Sequence, residues 1–254
     1  MKDSNVARRA LPLLDLTSLN DDDDDAAVDR LCARATGPHG RVAAVCVWPG
    51  FIARCREALA GSGVRVAAVA NFPAGAPDTA GAVAEVRAAA AAGADEVDLV
   101  WPYAAWLDGH RAAAGDLVAA CKAACGAERT LKVILETGRL RSPENIAAAS
   151  RDAIAAGADF IKTSTGKTEV SATLEAAEIM LAAIERSGRP VGFKAAGGIR
   201  TTAQAGAYLA LADRIMGPGW AAPETFRFGA SGLLDDLLAK LGLAGAPGPS
   251  EQGY

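Results

Sequence analysis

The sequence has few of the residues from which metal sites are usually built. Only two histidines, His39 and His110, occur in 254 residues, and they do not have the spacing of zinc ligands. The five cysteines are an odd set, and Cys121 and Cys125 stand four residues apart in an alanine-rich stretch that is typical of a helix. We therefore expect free thiols in a reducing compartment, and neither a metal nor another cofactor.

An excess of positive charge and long apolar runs are also missing. The net charge is −4 and the pI is about 5.3, so there is no basic field for nucleic acid or an anionic membrane, and local charges must hold any anionic ligand. The apolar stretch at residues 11–14 follows Arg8 and Arg9 and stops at Asp15, which fits neither a signal peptide nor a spanning helix. We expect a cytoplasmic protein without nucleic-acid or membrane partners.

Short β-branched runs alternate with alanine-rich helical stretches, a pattern typical of repeated βα units and a parallel sheet. With a length of 254 residues, this pattern favours a single-domain TIM (β/α)8 barrel. A doubly wound open sheet is the alternative, but no G-x-G-x-x-G motif follows the first predicted strand. The predicted strands are residues 42–47, 64–69, 96–100, 131–136, 160–163, 191–195, 214–216 and 225–228.

The barrel domain is predicted over residues 1–243, with a helical extension at its N-terminus and a flexible tail, rich in glycine and proline, over residues 244–254. Ser142 is expected to cap a helix that has Pro143 in its first turn and Gly157 after its end. The aspartates at 21–25 fit a solvated loop and helix start better than a binding site.

Ionisable residues interrupt five of the apolar predicted strands; they are Cys46, Asp98, Lys132, Lys162 and Lys194. Any one of these lysines could form a structural ion pair, but three lysines converging with an aspartate favour an active site. Close ammonium groups disfavour each other's charge, so one lysine can become a nucleophilic amine near neutral pH. Two scattered histidines cannot hold a catalytic zinc ion, which excludes zinc-dependent catalysis. A lysine that reacts as an amine would instead form an imine with a carbonyl substrate.

Small-residue turns are predicted after three of the later strands, at residues 164–167, 197–200 and 229–232. Their backbone N–H groups can approach an anion, and TIM barrels commonly bind phosphate after strands seven and eight, near a helix start such as the one expected at Leu233. Each glycine pair alone could serve only its turn. Together with Lys167 and Arg200, the three turns predict a sugar-phosphate ligand.

Six segments, in order along nearly the whole chain, resemble deoxyribose-phosphate aldolase. They are LLDLTSLNDDD (13–23), GADEVDLVWPY (93–103), LKVILETG (131–138), GADFIKTSTGK (157–167), VGFKAAGGIR (191–200) and FRFGAS (226–231). The pair FIKTSTGK and GFK-x-AGG-[IV]-R is far more specific than a general barrel pattern. The resemblance implies class I, metal-free, reversible cleavage of 2-deoxy-D-ribose 5-phosphate to acetaldehyde and D-glyceraldehyde 3-phosphate on a TIM barrel.

The resemblance also implies residue roles. Lys162 forms the imine, Lys194 is the neighbouring cation that keeps it deprotonated, and Asp98 relays protons. The residues that line or order the pocket are Lys132, Cys46, Asp15 and Thr17. The phosphate and substrate contacts are Thr165, Gly166, Lys167, Gly197, Gly198, Arg200, Ser231 and Gly232. Family members often end in a tyrosine that helps to protonate the enamine carbon, and this implies a role for Tyr254.

Two positions depart from the family pattern, and several alternatives stay open. Ala195 replaces a usual proline, which would loosen the backbone after Lys194, and Gly232 replaces a second serine, which would remove a donor to phosphate. Asp15 and Thr17 could equally form a helix-capping pair. The rival functions are another Schiff-base aldolase or transaldolase, and a non-catalytic sugar-phosphate-binding descendant. The sequence leaves the oligomeric state open, with a homodimer as one option.

Overall fold

The computed structural model describes residues 2–243, in which eight parallel strands close into a barrel. The strands are β1 Leu14–Thr17, β2 Ala44–Val47, β3 Arg65–Ala70, β4 Glu96–Val100, β5 Thr130–Ile134, β6 Phe160–Lys162, β7 Gly192–Ala196 and β8 Phe226–Ala230. Each strand pairs with the next, and β8 pairs with β1. The predicted TIM barrel is therefore confirmed.

Helices cover the outside of the barrel. They are α1 Asp3–Ala10, α2 Asp25–Ala35, α3 Ile52–Ala58, α4 Thr79–Ala91, α5 Tyr103–Leu107, α6 Arg111–Cys125, α7 Pro143–Ala155, α8 Leu174–Ser187, α9 Thr202–Met216 and α10 Leu233–Lys240. The N-terminal helix α1 packs on α9 and α10. Within residues 2–243, each helix is too short or too polar to cross a membrane.

The alternation of side chains along each strand separates the apolar core from the charged interior. On β4, Val97 and Leu99 join the main apolar core, whereas Asp98 between them joins a buried charged cluster. This follows from the two-residue period of a strand. An ionisable residue between two apolar neighbours therefore predicts an inward position when both faces of a parallel sheet are covered.

The local helix signals are confirmed. Ser142 Oγ accepts a hydrogen bond from the Asn145 N–H at the start of α7, Pro143 is the first helical residue, and Gly157 follows the end with φ 102°. The aspartate run leads into α2. Asp24 caps the N-terminus of this helix, because its side chain accepts a hydrogen bond from the Ala27 N–H. The five cysteines are free thiols.

One predicted strand was wrong, and one strand was missed. Residues 214–216 form the last turn of α9, because the capping box of Thr201 and Gln204 starts a helix that runs on to Met216. The missing strand is β1, where Asp15 interrupts a run too short to stand out as a strand. When β1 is counted, Gly197 follows the seventh strand and Ser231 follows the eighth. These are the strands after which TIM barrels commonly bind phosphate.

One further local expectation needs correction, and another stays a prediction. Gly229 and Ala230 belong to β8, so the predicted turn at 229–232 is only Ser231 and Gly232. β7 runs unbroken through Ala195, which pairs with Phe228, and the looser backbone expected after Lys194 stays a prediction.

Candidate active site

Three lysine side chains meet at one carboxylate inside the barrel. Lys132 Nζ lies 2.8 Å from Asp98 Oδ1. Lys162 Nζ and Lys194 Nζ lie 2.9 and 2.8 Å from the other oxygen, Oδ2. Strand register places them, because Asp98 pairs with Lys132 across β4 and β5, and Lys162 pairs with Lys194 across β6 and β7. All four side chains are fully buried, so the structure brings together the residues that the sequence singled out.

A second layer of charge lies toward the N-terminal ends of the strands. Asp15 Oδ2 lies 2.6 Å from Lys194 Nζ, and Asp15 Oδ1 lies 2.5 Å from Arg227 Nη1. Arg227 Nη2 lies 2.8 Å from Glu96 Oε1, and Glu96 Oε2 contacts Lys132. Sequence reasoning missed Glu96 and Arg227, although both are charged residues within apolar stretches, in EVDLV and FRFGA.

The carboxylates of this cluster are ionised. Burial raises the pKa of Asp98, but the three lysines outweigh it and hold that pKa well below its usual range. Burial opposes the charge of Asp15 in the same way, and the facing cations, Arg227 first, lower its pKa. For Glu96 the pKa is also lowered, since Lys132 and then Arg227 overcome the effect of burial.

The cations between these carboxylates keep their protons. Burial alone would lower the pKa of Lys194, but Asp15 and Asp98 raise it well above its usual value. The pKa of Lys132 is raised by Asp98 and Glu96 against the same desolvation. Lys132 and Lys194 are therefore ammonium groups at neutral pH.

Cys46 contacts both this charged cluster and a small apolar cluster. Its Sγ lies 3.9 Å from Asp98 Oδ2, and burial, followed by the charge of Asp98, raises the pKa of the thiol. Cys46 is therefore a neutral thiol rather than a nucleophilic thiolate. The apolar cluster around it contains Leu19, Ala67 and Val69, with Trp48 and Phe72 packed against it.

Asp15 and Thr17 lie on strand β1, so the helix-capping alternative for this pair is wrong. Thr17 Oγ1 donates to the Asp15 carbonyl at 2.9 Å, and Thr17 pairs with Cys46 across β1 and β2. Both side chains are buried in the barrel. Asp15 thus contacts the lysine cluster directly, whereas Thr17 supports the strand that carries it.

The predicted phosphate contacts lie on three neighbouring loops, after β6, β7 and β8. Gly197 has φ 85°, and a Cβ there would lie 3.3 Å from Gly166 Cα and 2.7 Å from Ser171 Cβ. The glycine therefore lets the loop after β7 approach the loop after β6. Gly198 also has positive φ but faces open space. On the third loop, Gly232 is the N-cap residue of α10, which starts at Leu233.

The charged and hydroxyl residues of these loops differ in exposure. Lys167 and Arg200 are exposed, while Thr165 and Ser231 are buried. Lys167 Nζ is 3.9 Å from Asp21 Oδ1, a long and solvated contact. The structure thus gathers the predicted loop residues on one end of the barrel. Their contacts to a ligand stay predictions.

Glu136 is a further buried carboxylate that the sequence analysis did not single out. It follows β5 with φ 55°, and its Oε2 accepts from the Thr165 hydroxyl and, at 3.3 Å, from the Thr165 N–H. Its Oε1 accepts from Thr168 Oγ1 at 3.1 Å. Glu136 therefore fixes the loop after β6. Tyr254 lies outside the described residues, so its predicted role is unchanged.

Comparison with known families identifies this barrel as an aldolase. The model of the DeoC/LacD family aldolases matches residues 9–231 of this chain. The chain therefore belongs to the DeoC/LacD aldolase family.

Solved structures of similar proteins agree with this assignment. A protein from Coccidioides immitis, assigned as a deoxyribose-phosphate aldolase, is 30% identical with a TM-score of 0.81, over 94% of this chain and 86% of that one. A protein from Toxoplasma gondii ME49 with the same assignment is 26% identical with a TM-score of 0.86, over 96% and 99%. The aldolase QR15 is 25% identical with a TM-score of 0.76, over 91% and 96%.

Proposed function

We propose that this aldolase reversibly cleaves 2-deoxy-D-ribose 5-phosphate to acetaldehyde and D-glyceraldehyde 3-phosphate through a Schiff base on Lys162. The observation that carries the proposal is the meeting of three lysine Nζ atoms, 2.8 to 2.9 Å from the buried carboxylate of Asp98. Imine formation needs an amine in a dry site with proton donors and acceptors in reach. The assignments of the similar proteins from Coccidioides immitis and Toxoplasma gondii support this substrate.

The choice of Lys162 rests on the partners of the three lysines. Lys194 lies between Asp15 and Asp98, and Lys132 contacts Asp98 and Glu96, so the pKa of each is raised. Lys162 contacts Asp98 through an oxygen that it shares with Lys194. It is also the last residue of β6, nearest to the loops that carry the proposed phosphate site. Lys162 is thus the best placed of the three to react as an amine.

In the cleavage direction, Lys162 Nζ adds to the aldehyde carbon C1, and loss of water gives a protonated imine. The imine accepts the electron pair of the C2–C3 bond as that bond breaks and the C3 hydroxyl loses its proton. Ionised Asp98 can take a proton, directly or through water, and the Lys194 ammonium can donate one when the carbinolamine loses its hydroxyl. The enamine is then protonated at C2, for which Tyr254 is the predicted donor, and hydrolysis releases acetaldehyde.

Substrate phosphate would bind at the glycine loops, on the same end of the barrel. Backbone N–H groups at Gly198 and the Ser231–Gly232 turn precede the starts of α9 and α10, where partial positive charge favours an anion. The Gly197 N–H donates to the Gly229 carbonyl at 3.3 Å, so phosphate would have to displace that contact to bind there. Lys167 and Arg200 would add positive charge from the exposed rim.

Borohydride reduction in the presence of acetaldehyde, followed by peptide mass mapping, tests the nucleophile. We expect an ethyl group on Lys162 and its loss in Lys162→Leu. Lys122→Leu is the control, because Lys122 pairs with Asp159 outside the barrel. An adduct on Lys132 or Lys194 would contradict the assignment.

A second measurement tests the substrate. Release of acetaldehyde from 2-deoxy-D-ribose 5-phosphate should be faster than release from free 2-deoxy-D-ribose. Trapping on Lys162 without cleavage of the phosphorylated sugar would indicate a Schiff-base aldolase with a different donor or acceptor. Neither trapping nor cleavage would favour a non-catalytic sugar-phosphate-binding protein.

A further inference from the structure

Glu136 is a fully buried carboxylate that lies just after β5. Its backbone has φ 55° and ψ 60°, in the left-handed region that favours glycine. Residues other than glycine seldom adopt this conformation, and those that do are often found at functional sites. The proposed chemistry on Lys162 does not use Glu136, so its burial and its conformation point to another role.

The carboxylate of Glu136 holds a short segment of the loop after β6 at both of its ends. Oε2 accepts hydrogen bonds from the Thr165 hydroxyl and, at 3.3 Å, from the Thr165 N–H. Oε1 accepts from Thr168 Oγ1 at 3.1 Å. The Thr165 hydroxyl also accepts from the Lys167 N–H at 3.0 Å, which closes the turn between these two residues. The backbone at Gly166 and Lys167 is therefore fixed from the side of β5.

The loop after β6 packs tightly against the loops on either side of it. A Cβ at Gly197, in the loop after β7, would lie 3.3 Å from Gly166 Cα and 2.7 Å from Ser171 Oγ. On the other side, a Cβ at Gly138, in the loop after β5, would lie 2.9 Å from Val170 Cβ. A change on the β5 side therefore alters how the loop after β6 meets the loop after β7.

These two neighbouring loops both present backbone N–H groups that an anion can use. Among residues 2–243, the N–H groups of Gly166 and Gly198 donate to no protein acceptor. Both glycines have φ 80°. We propose that Glu136 is a positioning residue that holds the Gly166 N–H beside the loop of Gly198, so that both groups donate to the substrate phosphate. The inference rests on the proposed sugar-phosphate substrate.

Glu136 acts through its hydrogen bonds and not through attraction of the ligand. A carboxylate is a poor partner for phosphate, because both groups accept hydrogen bonds and carry negative charge near neutral pH. A neutral side chain that makes the same hydrogen bonds should therefore replace it. Glutamine can do so: its amide oxygen would accept from Thr165, and its amide nitrogen would donate to Thr168 Oγ1. The Thr168 hydroxyl would then donate to the Val170 carbonyl, which lies 3.1 Å away.

The test compares KM for 2-deoxy-D-ribose 5-phosphate with KM for free 2-deoxy-D-ribose. In Glu136→Ala, KM for the phosphorylated sugar should rise about tenfold or more, the effect of losing one hydrogen bond to a charged group. KM for the free sugar, and trapping of acetaldehyde on Lys162, should change by less than about threefold. Glu136→Gln should keep KM for the phosphorylated sugar within about threefold of wild type, or below it.

A second pair of variants removes one of the two contacts alone. Thr168→Val should raise KM for the phosphorylated sugar less than Glu136→Ala does, whereas Thr168→Ser keeps the hydroxyl and should behave as wild type. In the Glu136→Ala background, Thr168→Val should add little, because the contact between the two side chains is already lost. Should Glu136→Ala fail to fold, the difference between Thr168→Val and Thr168→Ser still decides.

Asp95→Ala is the matched control for a general loss of stability. Asp95 Oδ2 accepts from the Val66 N–H at 2.8 Å and pairs with Arg56 at the opposite end of the barrel. Its removal also takes a carboxylate away from a backbone N–H, but far from the glycine loops. The Tm of this variant should fall, while the ratio of the two KM values stays at the wild-type value.

Several outcomes would overturn the role of Glu136. They are equal KM changes for both sugars in Glu136→Ala, a Glu136→Gln variant as impaired as Glu136→Ala, and equal KM values in Thr168→Val and Thr168→Ser. Failure of the proposed substrate looks different, since wild type would then cleave neither sugar. In that case, binding of inorganic phosphate, followed by phosphorus NMR titration, should still weaken in Glu136→Ala but not in Glu136→Gln. Wild type that neither cleaves the phosphorylated sugar nor binds phosphate would overturn both.

Discussion

Replacing Gly229 by alanine tests whether catalysis depends on the position of the Lys194 side chain. A Cβ at residue 229, inside β8, would lie 2.9 Å from Lys194 Cε and 3.0 Å from Ala196 Cβ, against about 3.5–4.0 Å for an ordinary carbon contact. The end of a lysine can usually swing aside. Here Nζ is held 2.6 Å from Asp15 and 2.8 Å from Asp98, so the lysine can move only by lengthening those contacts.

The size of the effect follows from packing and geometry. Adding a methyl group to a close-packed core costs about 1–3 kcal/mol, and a chain of this size loses about 2–4 °C of Tm per kcal/mol. The Tm of Gly229→Ala should therefore fall by about 2–12 °C. Displacing a reacting group by about 1 Å can cost about 100-fold in rate. We expect a loss of kcat by about 10- to 100-fold, with a smaller change in KM, because the added methyl lies below the phosphate loops.

The assay is steady-state release of acetaldehyde from 2-deoxy-D-ribose 5-phosphate, with Tm measured in parallel. Gly206→Ala is the control, since its Cβ would lie 3.3 Å from Val6 Cγ1 where α9 packs on α1, outside the barrel. That variant should keep the wild-type kcat. If Gly229→Ala lost stability but kept kcat, the position of Lys194 would not limit the reaction.

Three further predictions concern the proton relay, the phosphate site and acid stability. Asp98→Asn should lower turnover by about 100-fold or more while trapping on Lys162 is only partly lost; unchanged turnover would exclude Asp98 as the relay. Gly232→Ser places a hydroxyl at the start of α10, where the added Cβ would meet no atom within 4 Å among residues 2–243 beyond its chain neighbours; it should lower KM for the phosphorylated sugar but not for free deoxyribose. Equal KM changes would place phosphate elsewhere. Because the folded pKa values of Asp15, Glu96 and Asp98 are lowered, their stabilisation is complete above the unfolded pKa of about 4 and is lost as the pH falls below it. Denaturant midpoints that stay flat from about pH 6 to about pH 3 would contradict this linkage.

The barrel could be predicted because its strands are covered on both faces. Buried parallel strands are nearly continuous apolar runs, and seven of the eight stand out against the alanine-rich helices. The first strand did not, because LDLT is short and carries an aspartate. Asp15 is there to contact Lys194 and Arg227, so a residue of the site concealed the strand that carries it.

The false strand at 214–216 has a different cause. Periodicity in three residues cannot separate a strand from the last turn of a helix, and Ile215 and Met216 fit both. The capping box at Thr201 shows that these residues are helical. It starts α9, and that helix continues through residues 214–216 and ends at Met216, before Gly217.

The lysines and Asp98 could be predicted one strand at a time, but the further charged residues Glu96 and Arg227 could not. Each lysine stands out within its own apolar strand. Glu96 and Arg227 can be assigned to the site only when the register of the strands shows that they lie beside its lysines and carboxylates. Lys194 pairs with Arg227 across β7 and β8, and Asp98 pairs with Lys132 across β4 and β5. These pairings join residues that are far apart in sequence, and a single sequence does not contain them.

That missing information changes the physical account of how a lysine is activated. From the sequence, three ammonium groups repel one another, and Lys194 is the charge that matters. In the structure, Lys132 and Lys194 are each matched by carboxylates, so their repulsion of Lys162 is largely offset. Lys194 therefore acts on Lys162 together with the Asp98 oxygen that both ammonium groups contact, and not as an isolated positive charge.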